Sequence, residues 1–264
     1  LEFRRVLFRS YYGYPTTSYQ DKIFSPDFIY HQVNDGEDNG SYYSDNMDLL
    51  ENIGCASWKE MPYYQLDAYP YDSHCGDSTS WPSESAWREA PLYRSKTGYS
   101  YQWVDGTWGT INDLKNILAD TNLAVIGIDA SKYNQLNSSE LWITDNYSTT
   151  TKNHANTVVG YDDNFGPYTE GGSTTYGAFK VANSWGTGFT GDSNNDGFYW
   201  ISYAVMQQYV KYVTYYENKK NYNPQRLAVF QISHNKRAEC DVGFGTGTSG
   251  TSIKKMNESY NFNG

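Results

Sequence analysis

Residues 153–162 read Asn-His-Ala-Asn-Thr-Val-Val-Gly-Tyr-Asp, residues 179–188 read Phe-Lys-Val-Ala-Asn-Ser-Trp-Gly-Thr-Gly, and residues 197–201 read Gly-Phe-Tyr-Trp-Ile. Each run is rich in β-branched or aromatic residues and is bounded by Gly, Asn or Asp. This pattern is typical of strands that end in turns. The sequence therefore predicts three strands of an antiparallel sheet, in which His154 opens the first strand and Asn183 closes the second.

His154 and Asn183 are far apart in sequence, but a hairpin of the first two strands would bring them side by side. Imidazole is the side chain best suited to moving protons near neutral pH. An amide oxygen that accepts from one ring N–H fixes the tautomer and turns the other nitrogen toward a nucleophile. Trp185 is expected on the same strand face as Asn183, where it would keep water from that hydrogen bond. Taken alone, each of these residues is also explained as an ordinary residue at a strand end.

Taken in order, the motifs Asn-His-Ala-x-x-Val-Val-Gly-Tyr, Asn-Ser-Trp-Gly-x-Gly and Gly-Phe-Tyr-Trp-Ile closely resemble the papain-like cysteine peptidases (peptidase family C1). In that family the first motif contains the catalytic histidine and the second the asparagine that orients it. The resemblance implies that His154 is the base that pairs with a thiolate, that Asn183 orients its ring, and that Trp185 supports the site. It also implies an α+β fold of two lobes, one helical and incomplete here, the other an antiparallel β-barrel-like lobe.

The bulk composition argues against several classes of partner. Twenty Lys and Arg against 30 Asp and Glu give a net charge of −10, so the chain lacks the basic surface that nucleic acids and anionic membranes require. No apolar run approaches the roughly 20 residues that span a bilayer. An acidic, Tyr-, Asn-, Ser- and Gly-rich composition suits a secreted protein, so an extracellular location is expected.

The composition changes along the chain divide it into three parts. Residues 1–10 contain three arginines and none of the 27 tyrosines. This composition predicts a non-native leader, such as read-assembly sequence fused to a truncated gene. A genuine basic N-terminal arm is the alternative. Residues 11–217 are predicted to form the papain-like domain. Residues 218–264 predict a linker and the start of a β-sandwich-like module, with strands at Leu227–Ile232 and Cys240–Phe244; an extension packed on the peptidase domain is the alternative.

Three helices are predicted before the strand-rich half. Ser25-Pro26-Asp27-Phe28 has the cap, first-turn proline and acidic residue of a helix start. A second helix is expected over Asp45–Ile53, with Asp45 as its cap and Gly54 as its stop. A third begins at Thr110–Asp113, an acidic capping-box variant.

Four further segments are predicted from their composition. A buried strand is expected over Leu123–Ile128, and a last strand over Tyr209–Tyr216. The segments His74–Ser100 and Ser138–Thr151 lack periodicity and are expected to be loops.

The segment Asn39-Gly40-Ser41-Tyr42 resembles the family's Gly-Gly segment, whose backbone pairs with the substrate peptide as an added strand. The resemblance implies that Gly40 and Ser41 bind substrate, although Ser41 replaces the second glycine. A plain surface turn is the alternative.

The nucleophile that the family requires is not evident in the sequence. In the family, the cysteine begins a long helix within a Cys-Gly-Ser-Cys-Trp-like motif, where the helix terminus and the imidazolium lower the thiol pKa. No such motif is present here. Counting back from Ser25, the cysteine is expected upstream of Tyr11, and the oxyanion-hole glutamine further upstream. These 264 residues are therefore expected to be an inactive, N-terminally truncated fragment of an active peptidase.

The three cysteines of the chain are Cys55, Cys75 and Cys240, and they lack the C-x-x-C spacing of zinc and thioredoxin-type sites. Cys55 follows the C-terminal end of a predicted helix, where the partial negative charge raises a thiol pKa, so it is not the expected nucleophile. Cys55 and Cys75 are expected either to pair in an exported protein or to remain buried free thiols.

Three hypotheses about function follow. The first is a secreted cysteine endopeptidase that acts on proteins or peptides, with no metal or cofactor implied. The second is an inactive papain-like domain that binds peptides or a surface. The third makes the C-terminal β-module the functional part and the peptidase accessory to it. Because a pure binder has no need of their geometry, the retained His154, Asn183 and Trp185 favour the enzyme.

Overall fold

The computed structural model describes residues 24–33, 40–62, 82–96, 100–217, 219, 232–236, 241–246 and 254–261. The predicted leader, the position expected for the nucleophile, Cys75, Cys240, and most of the predicted linker and of Leu227–Ile232 lie outside these residues. The helices are α1 (Pro26–Val33), α2 (Tyr43–Asn52), α3 (Glu84–Glu89), α4 (Ile111–Ala119) and α5 (Tyr203–Val205), with 3-10 turns at Ala90–Tyr93 and Ala130–Gln135 and a π-helical turn at Met206–Val210. The strands are β1 (Ser100–Trp103), β2 (Ala124–Ile128), β3 (Leu141–Trp142), β4 (His154–Asp162), β5 (Tyr168–Glu170), β6 (Ser173–Thr175), β7 (Ala178–Ala182), β8 (Phe198–Ser202), β9 (Tyr212–Tyr215), β10 (Asp241–Thr246) and β11 (Lys254–Asn261).

Seven of these strands form one sheet in the order β1-β9-β2-β4-β7-β8-β3, with β4 at its centre. Its strands pair antiparallel except β3 and β8, which are parallel. The predicted hairpin of the first two motifs is confirmed, since Thr157 of β4 lies opposite Ala182 of β7. The expectation of a barrel-like lobe is corrected, because within the described residues the sheet stays open, with β1 and β3 as its edges.

Two hydrophobic cores lie on opposite faces of β2 and β4. Successive side chains of a strand point to opposite faces. Val125 and Ala155 accordingly pack with the helical residues around Phe28 and Met47, a region called here the helical lobe. The other face packs against an aromatic-rich core whose largest buried members are Tyr133, Trp142, Tyr147, Phe179 and Tyr199. Strand β4 therefore joins the two lobes.

Local signals explain where two of the helices begin. Helix α1 starts as predicted, and the Ser25 hydroxyl accepts a hydrogen bond of 3.1 Å from the Phe28 N–H. Helix α4 has the predicted capping box, in which the Thr110 side chain accepts from the backbone of Asp113 and the Asp113 carboxylate accepts from the Thr110 N–H at 2.6 Å. Both satisfy N–H groups that a helix start leaves without partners.

Helix α2 differs from its prediction at its start. It begins at Tyr43, with Tyr42 at the cap position, so Asp45 lies in the first turn rather than at the cap. Burial of the Tyr43 side chain in the helical lobe favours the earlier start. Asp45 still favours the helix there, because a carboxylate in the first turn interacts with the positive end of the helix dipole.

Two segments predicted as loops contain short elements. The segment His74–Ser100 contains α3, capped by a Ser83 hydroxyl that accepts from the Ala86 N–H, and the first residue of β1. The segment Ser138–Thr151 contains β3. Helical or strand periodicity cannot show in elements of six and two residues.

The predicted last strand of the sheet is shorter than expected. Strand β9 spans Tyr212–Tyr215, because Tyr209 belongs to the π-helical turn. Near the C-terminus, the strand expected at Cys240–Phe244 is observed as β10, which pairs antiparallel with β11. No helix of the described chain has the length and apolar character needed to cross a membrane.

Candidate active site

Strands β4 and β7 bring the predicted histidine and asparagine together at one end of the sheet. His154 is the first residue of β4 and lies opposite Ile128, the last residue of β2. Asn183 follows the last residue of β7, and its backbone N–H donates to the carbonyl of Gly197 at 3.0 Å. Backbone hydrogen bonds thus fix the positions of both residues independently of their side chains.

The side chains of His154 and Asn183 form a buried hydrogen bond. The distance between His154 Nε2 and Asn183 Oδ1 is 3.0 Å, and the two residues are 2 % and 0 % exposed. An amide oxygen only accepts, so Nε2 is the nitrogen that holds the proton in the neutral ring. In that tautomer Nδ1 is the ring nitrogen that can accept a proton, as a general base must.

Trp185 lies over the imidazole, although not on the strand as predicted. It lies in the turn after β7, with its ring centroid 4.6 Å from that of His154 and the ring planes tilted by 37°. The Tyr133 ring packs edge-on against both, at 6.2 Å from His154 and 5.3 Å from Trp185. Trp185 is 38 % exposed, so its ring lies between the buried imidazole and solvent.

Asn156 is a member of this site that the sequence analysis did not identify. It lies two residues after His154 in β4 and is fully buried. Its Nδ2 donates to Asn183 Oδ1 at 3.2 Å and to the Ala155 carbonyl at 2.9 Å. Its Oδ1 accepts from the hydroxyls of Tyr133 and Tyr199 at 2.6 and 2.7 Å. A polar residue inside the run Ala-Asn-Thr-Val-Val was the signal that could have revealed it, because such a residue must find partners when buried.

Asp129 and Asn153 fix the start of β4. Asn153 Nδ2 donates to Asp129 Oδ1 at 3.0 Å, and Asn153 Oδ1 accepts from the Ala130 N–H at 2.8 Å. The same carboxylate oxygen accepts from the N–H and the hydroxyl of Ser131. Burial disfavours the charged carboxyl, but the hydrogen bonds from Ser131 and Asn153, with the nearby charge of Lys132, outweigh it and hold the pKa of Asp129 below its usual value.

The Asp129→Asn variant is expected to lose stability near neutral pH and to lose progressively less in acid. The folded state favours the charged carboxyl, so its stabilisation is present above the unfolded-state pKa of about 4 and disappears as the pH falls through the folded pKa. Urea unfolding at a series of pH values from neutral to 3 measures this difference. The exposed Asp120→Asn variant is the control. A loss for Asp129→Asn that stays constant across this range would contradict the prediction.

Gly40 and Ser41 lie directly before α2, in the helical lobe. Gly40 has a φ of +85°, and its N–H donates to the Tyr30 hydroxyl at 3.2 Å, while the Ser41 hydroxyl accepts from Asn46 Nδ2 at 2.8 Å. Tyr43, two residues further on, approaches Gly127 closely enough that a Cβ there would lie 3.3 Å from its hydroxyl. Gly127 pairs with Ala155, so the segment begins a helix that packs beside the strand of His154.

Cys55 has the environment of a structural thiol. It is a free cysteine, 3 % exposed, and its thiol donates to the carbonyl of Ser25 at 3.4 Å. Burial raises the pKa of the thiol well above its usual value, and the hydrogen bond to the Ser25 backbone opposes this only in part. A thiol held protonated in an apolar core is a poor nucleophile, in agreement with its exclusion on sequence grounds.

Carboxylates organise the loop between Trp185 and β8, and two of them, Glu140 and Asp192, are buried. Among the described residues, Glu140, Asp192 and Asp196 form the group whose oxygens lie within 4.8 Å of one another, the spacing that a cation would need. Protein hydrogen bonds already engage each carboxylate: both Glu140 oxygens accept from Asn194, Asp192 accepts from the N–H groups of Gly188 and Gly197, and Asp196 accepts from the Phe198 N–H. The cluster therefore shapes the turn that presents Trp185.

Solved structures of cysteine proteases share this fold. Xylellain, a cysteine protease from Xylella fastidiosa, matches with a TM-score of 0.51 and 24 % identity, over 74 % of this chain and 69 % of that chain. The cysteine protease Cwp84 of Clostridium difficile, after propeptide cleavage, matches with a TM-score of 0.50 and 17 % identity, over 92 % of this chain and 56 % of that chain. No protein-family model and no curated protein matches the sequence. The likeness establishes the predicted α+β, papain-like fold.

Proposed function

We propose that this chain contains the histidine–asparagine half of the active site of a cysteine-type endopeptidase. The observation that supports it most directly is the buried hydrogen bond of 3.0 Å between His154 Nε2 and Asn183 Oδ1, beneath the Trp185 ring. The papain-like fold adds support, because two strands of that fold bring these residues together. His154 is the base, Asn183 orients it, and Trp185 protects their hydrogen bond from water.

The proposed reaction is hydrolysis of a peptide bond through a thioester. A cysteine thiolate attacks the carbonyl carbon, and the C–N bond breaks as imidazolium Nδ1–H gives its proton to the leaving nitrogen. Water then attacks the thioester while Nδ1 accepts one of its protons. The C–S bond breaks, the acid product leaves, and the thiolate–imidazolium pair is restored. Asn183 holds the ring so that Nδ1 faces the sulfur in both steps.

The remaining parts of the site are assigned by the resemblance. The nucleophile is expected upstream of Tyr11, outside the described residues, and the buried state of Cys55 agrees with this. Gly40 and Ser41 are proposed to pair with the backbone of a protein or peptide substrate. The mechanism requires neither metal nor cofactor, and the acidic composition suits action outside the cell.

Peptide cleavage by two proteins tests the proposal: the 264-residue chain, and the natural chain that includes the native residues upstream of Tyr11. We expect the natural chain to cleave a fluorogenic peptide and to lose activity on thiol alkylation, and the 264-residue chain to be inactive. The Cys55→Ser variant of the natural chain is the control and should remain active. A natural chain that binds peptides without cleaving them would overturn the proposal in favour of a binding domain. Activity of the 264-residue chain that Cys55→Ser abolishes would overturn the assignment of the nucleophile.

A further inference from the structure

Asn183 is poorly fixed by its own hydrogen bonds, although the orientation of its amide decides which nitrogen of His154 holds the proton. Its Nδ2 is buried and has no hydrogen-bond partner among the described residues. Its Oδ1 accepts from both His154 Nε2 and Asn156 Nδ2. A rotation that exchanged the amide oxygen and nitrogen would leave His154 beside a donor and would favour the other tautomer.

We propose that Asn156 is a positioning residue that holds the amide of Asn183 in one orientation and thereby sets the tautomer of His154. Tyr133 and Tyr199, through their hydroxyls, hold Asn156 in turn. The effect of this positioning on catalysis rests on the proposed function, whereas its effect on the tautomer of His154 does not.

The direction of each hydrogen bond follows from the chemistry of the groups. The Ala155 carbonyl is only an acceptor, so the side of Asn156 that faces it must be the amide nitrogen, at 2.9 Å. The same nitrogen faces Asn183 at 3.2 Å, so Asn183 must present its oxygen there. That oxygen also faces His154, so Nε2 must donate. A backbone carbonyl of β4 thus determines, through two side-chain amides, the proton position on the imidazole.

The two tyrosines make the alternative orientation of Asn156 more costly. Their hydroxyls lie 2.6 and 2.7 Å from Asn156 Oδ1, and all four hydrogen-bonding positions of the amide are occupied. Burial raises the pKa of both Tyr133 and Tyr199 above the usual value, so both hydroxyls keep their protons at any working pH. The ring of Tyr133 is also held in place, stacked on Trp142 at 5.3 Å with an interplanar angle of 19°. The side chains that hold Asn156 therefore stay uncharged across the working pH range.

The Asn156→Val variant of the 264-residue chain tests the proposal through nitrogen-15 spectra of the histidine rings. The chain has four histidines, and loss of a signal in His154→Gln identifies the relevant one. In the unmodified chain, at a pH where the ring is neutral, we expect the Nε2–H tautomer to dominate. In Asn156→Val we expect the Nδ1–H fraction to rise about tenfold, the factor expected from loss of one buried hydrogen bond.

A matched control separates positioning from general disturbance of the strand. Thr157, the next residue of β4, is buried, and its hydroxyl has no hydrogen-bond partner among the described residues, so Thr157→Val changes a buried polar group outside the network. We expect no change in tautomer there. If Asn156→Val fails to fold, Tyr199→Phe removes one hydroxyl only and should raise the Nδ1–H fraction by a smaller factor. An unchanged tautomer population in a folded Asn156→Val or Tyr199→Phe variant would overturn the proposal.

Kinetics of the natural chain supply a second measurement. The Asn156→Val variant is expected to lower kcat about tenfold with KM unchanged, because Asn156 acts on the orientation of the base and not on substrate binding. An altered KM with an unchanged kcat would count against positioning. If the natural chain proves inactive while the tautomer still shifts, the proposed function fails and the positioning role stands.

Discussion

The His154→Ala variant of the natural chain is expected to lower kcat/KM for a peptide substrate by about 10⁴-fold. General acid–base catalysis by a positioned side chain contributes about 10² to 10⁴-fold, and loss of the imidazole also removes the partner that keeps the thiol ionised. Alanine replaces the only side chain proposed to move protons in both steps. Initial rates on a fluorogenic peptide measure the change, with circular dichroism to confirm that the fold is retained.

Two further variants make this result specific. The His234→Ala variant removes an exposed histidine of the described segment 232–236 and should leave kcat/KM unchanged. The Asn183→Ala variant should give an intermediate loss, because the imidazole is still present but its orientation is not fixed. A His154→Ala protein that keeps more than a tenth of the original kcat/KM would show that His154 is not the base.

The largest effect on stability is expected for Trp142→Ala, at about 3–5 kcal/mol of the free energy of unfolding. Trp142 is fully buried, its ring lies within 5.3 Å of the rings of Tyr133, Tyr147 and Tyr199, and its Nε1–H donates to the Lys132 carbonyl at 3.1 Å. Alanine would leave a large cavity in the aromatic core and an acceptor without its donor. Urea unfolding monitored by circular dichroism measures the loss.

Trp108→Ala is the matched control for this prediction. Trp108 is 78 % exposed, so the same substitution removes little buried area and should change stability by no more than about 0.5 kcal/mol. Equal losses in the two variants would show that the aromatic core contributes less than its packing implies.

The elements that could be predicted were those with a local chemical signal. Strands β4, β7 and β8 were predicted because apolar runs ended at Gly, Asn or Asp, and α4 because Thr110 and Asp113 have capping-box spacing. Helix α3 and strand β3 were missed because they are too short to show a period. The open order of the seven strands was not predicted, since pairing between distant strands such as β1 and β9 leaves no pattern in either of them.

Within the site, three residues were predicted, His154, Asn183 and Trp185, and Asn156 was not. His154 and Asn183 stand at strand ends inside motifs that resemble a known family, so their meeting followed from the hairpin. Asn156 occupies the middle of an apolar run, and its partners Tyr133 and Tyr199 are distant in sequence. The role of such a buried polar side chain can be assigned only once the fold shows which hydrogen-bond partners lie beside it.

The central position of β4 has a consequence for how the site responds to thermal fluctuation. Edge strands and chain ends detach at low free-energy cost, whereas the middle of a sheet opens only with most of the domain. His154 begins a strand that has three strands of the sheet on each side, so its backbone shares the slow, cooperative opening of the sheet. Trp185, in the turn after β7, can be displaced without breaking that sheet. Local motion can therefore uncover the histidine–asparagine pair, whereas moving the backbone of His154 requires the centre of the sheet to open.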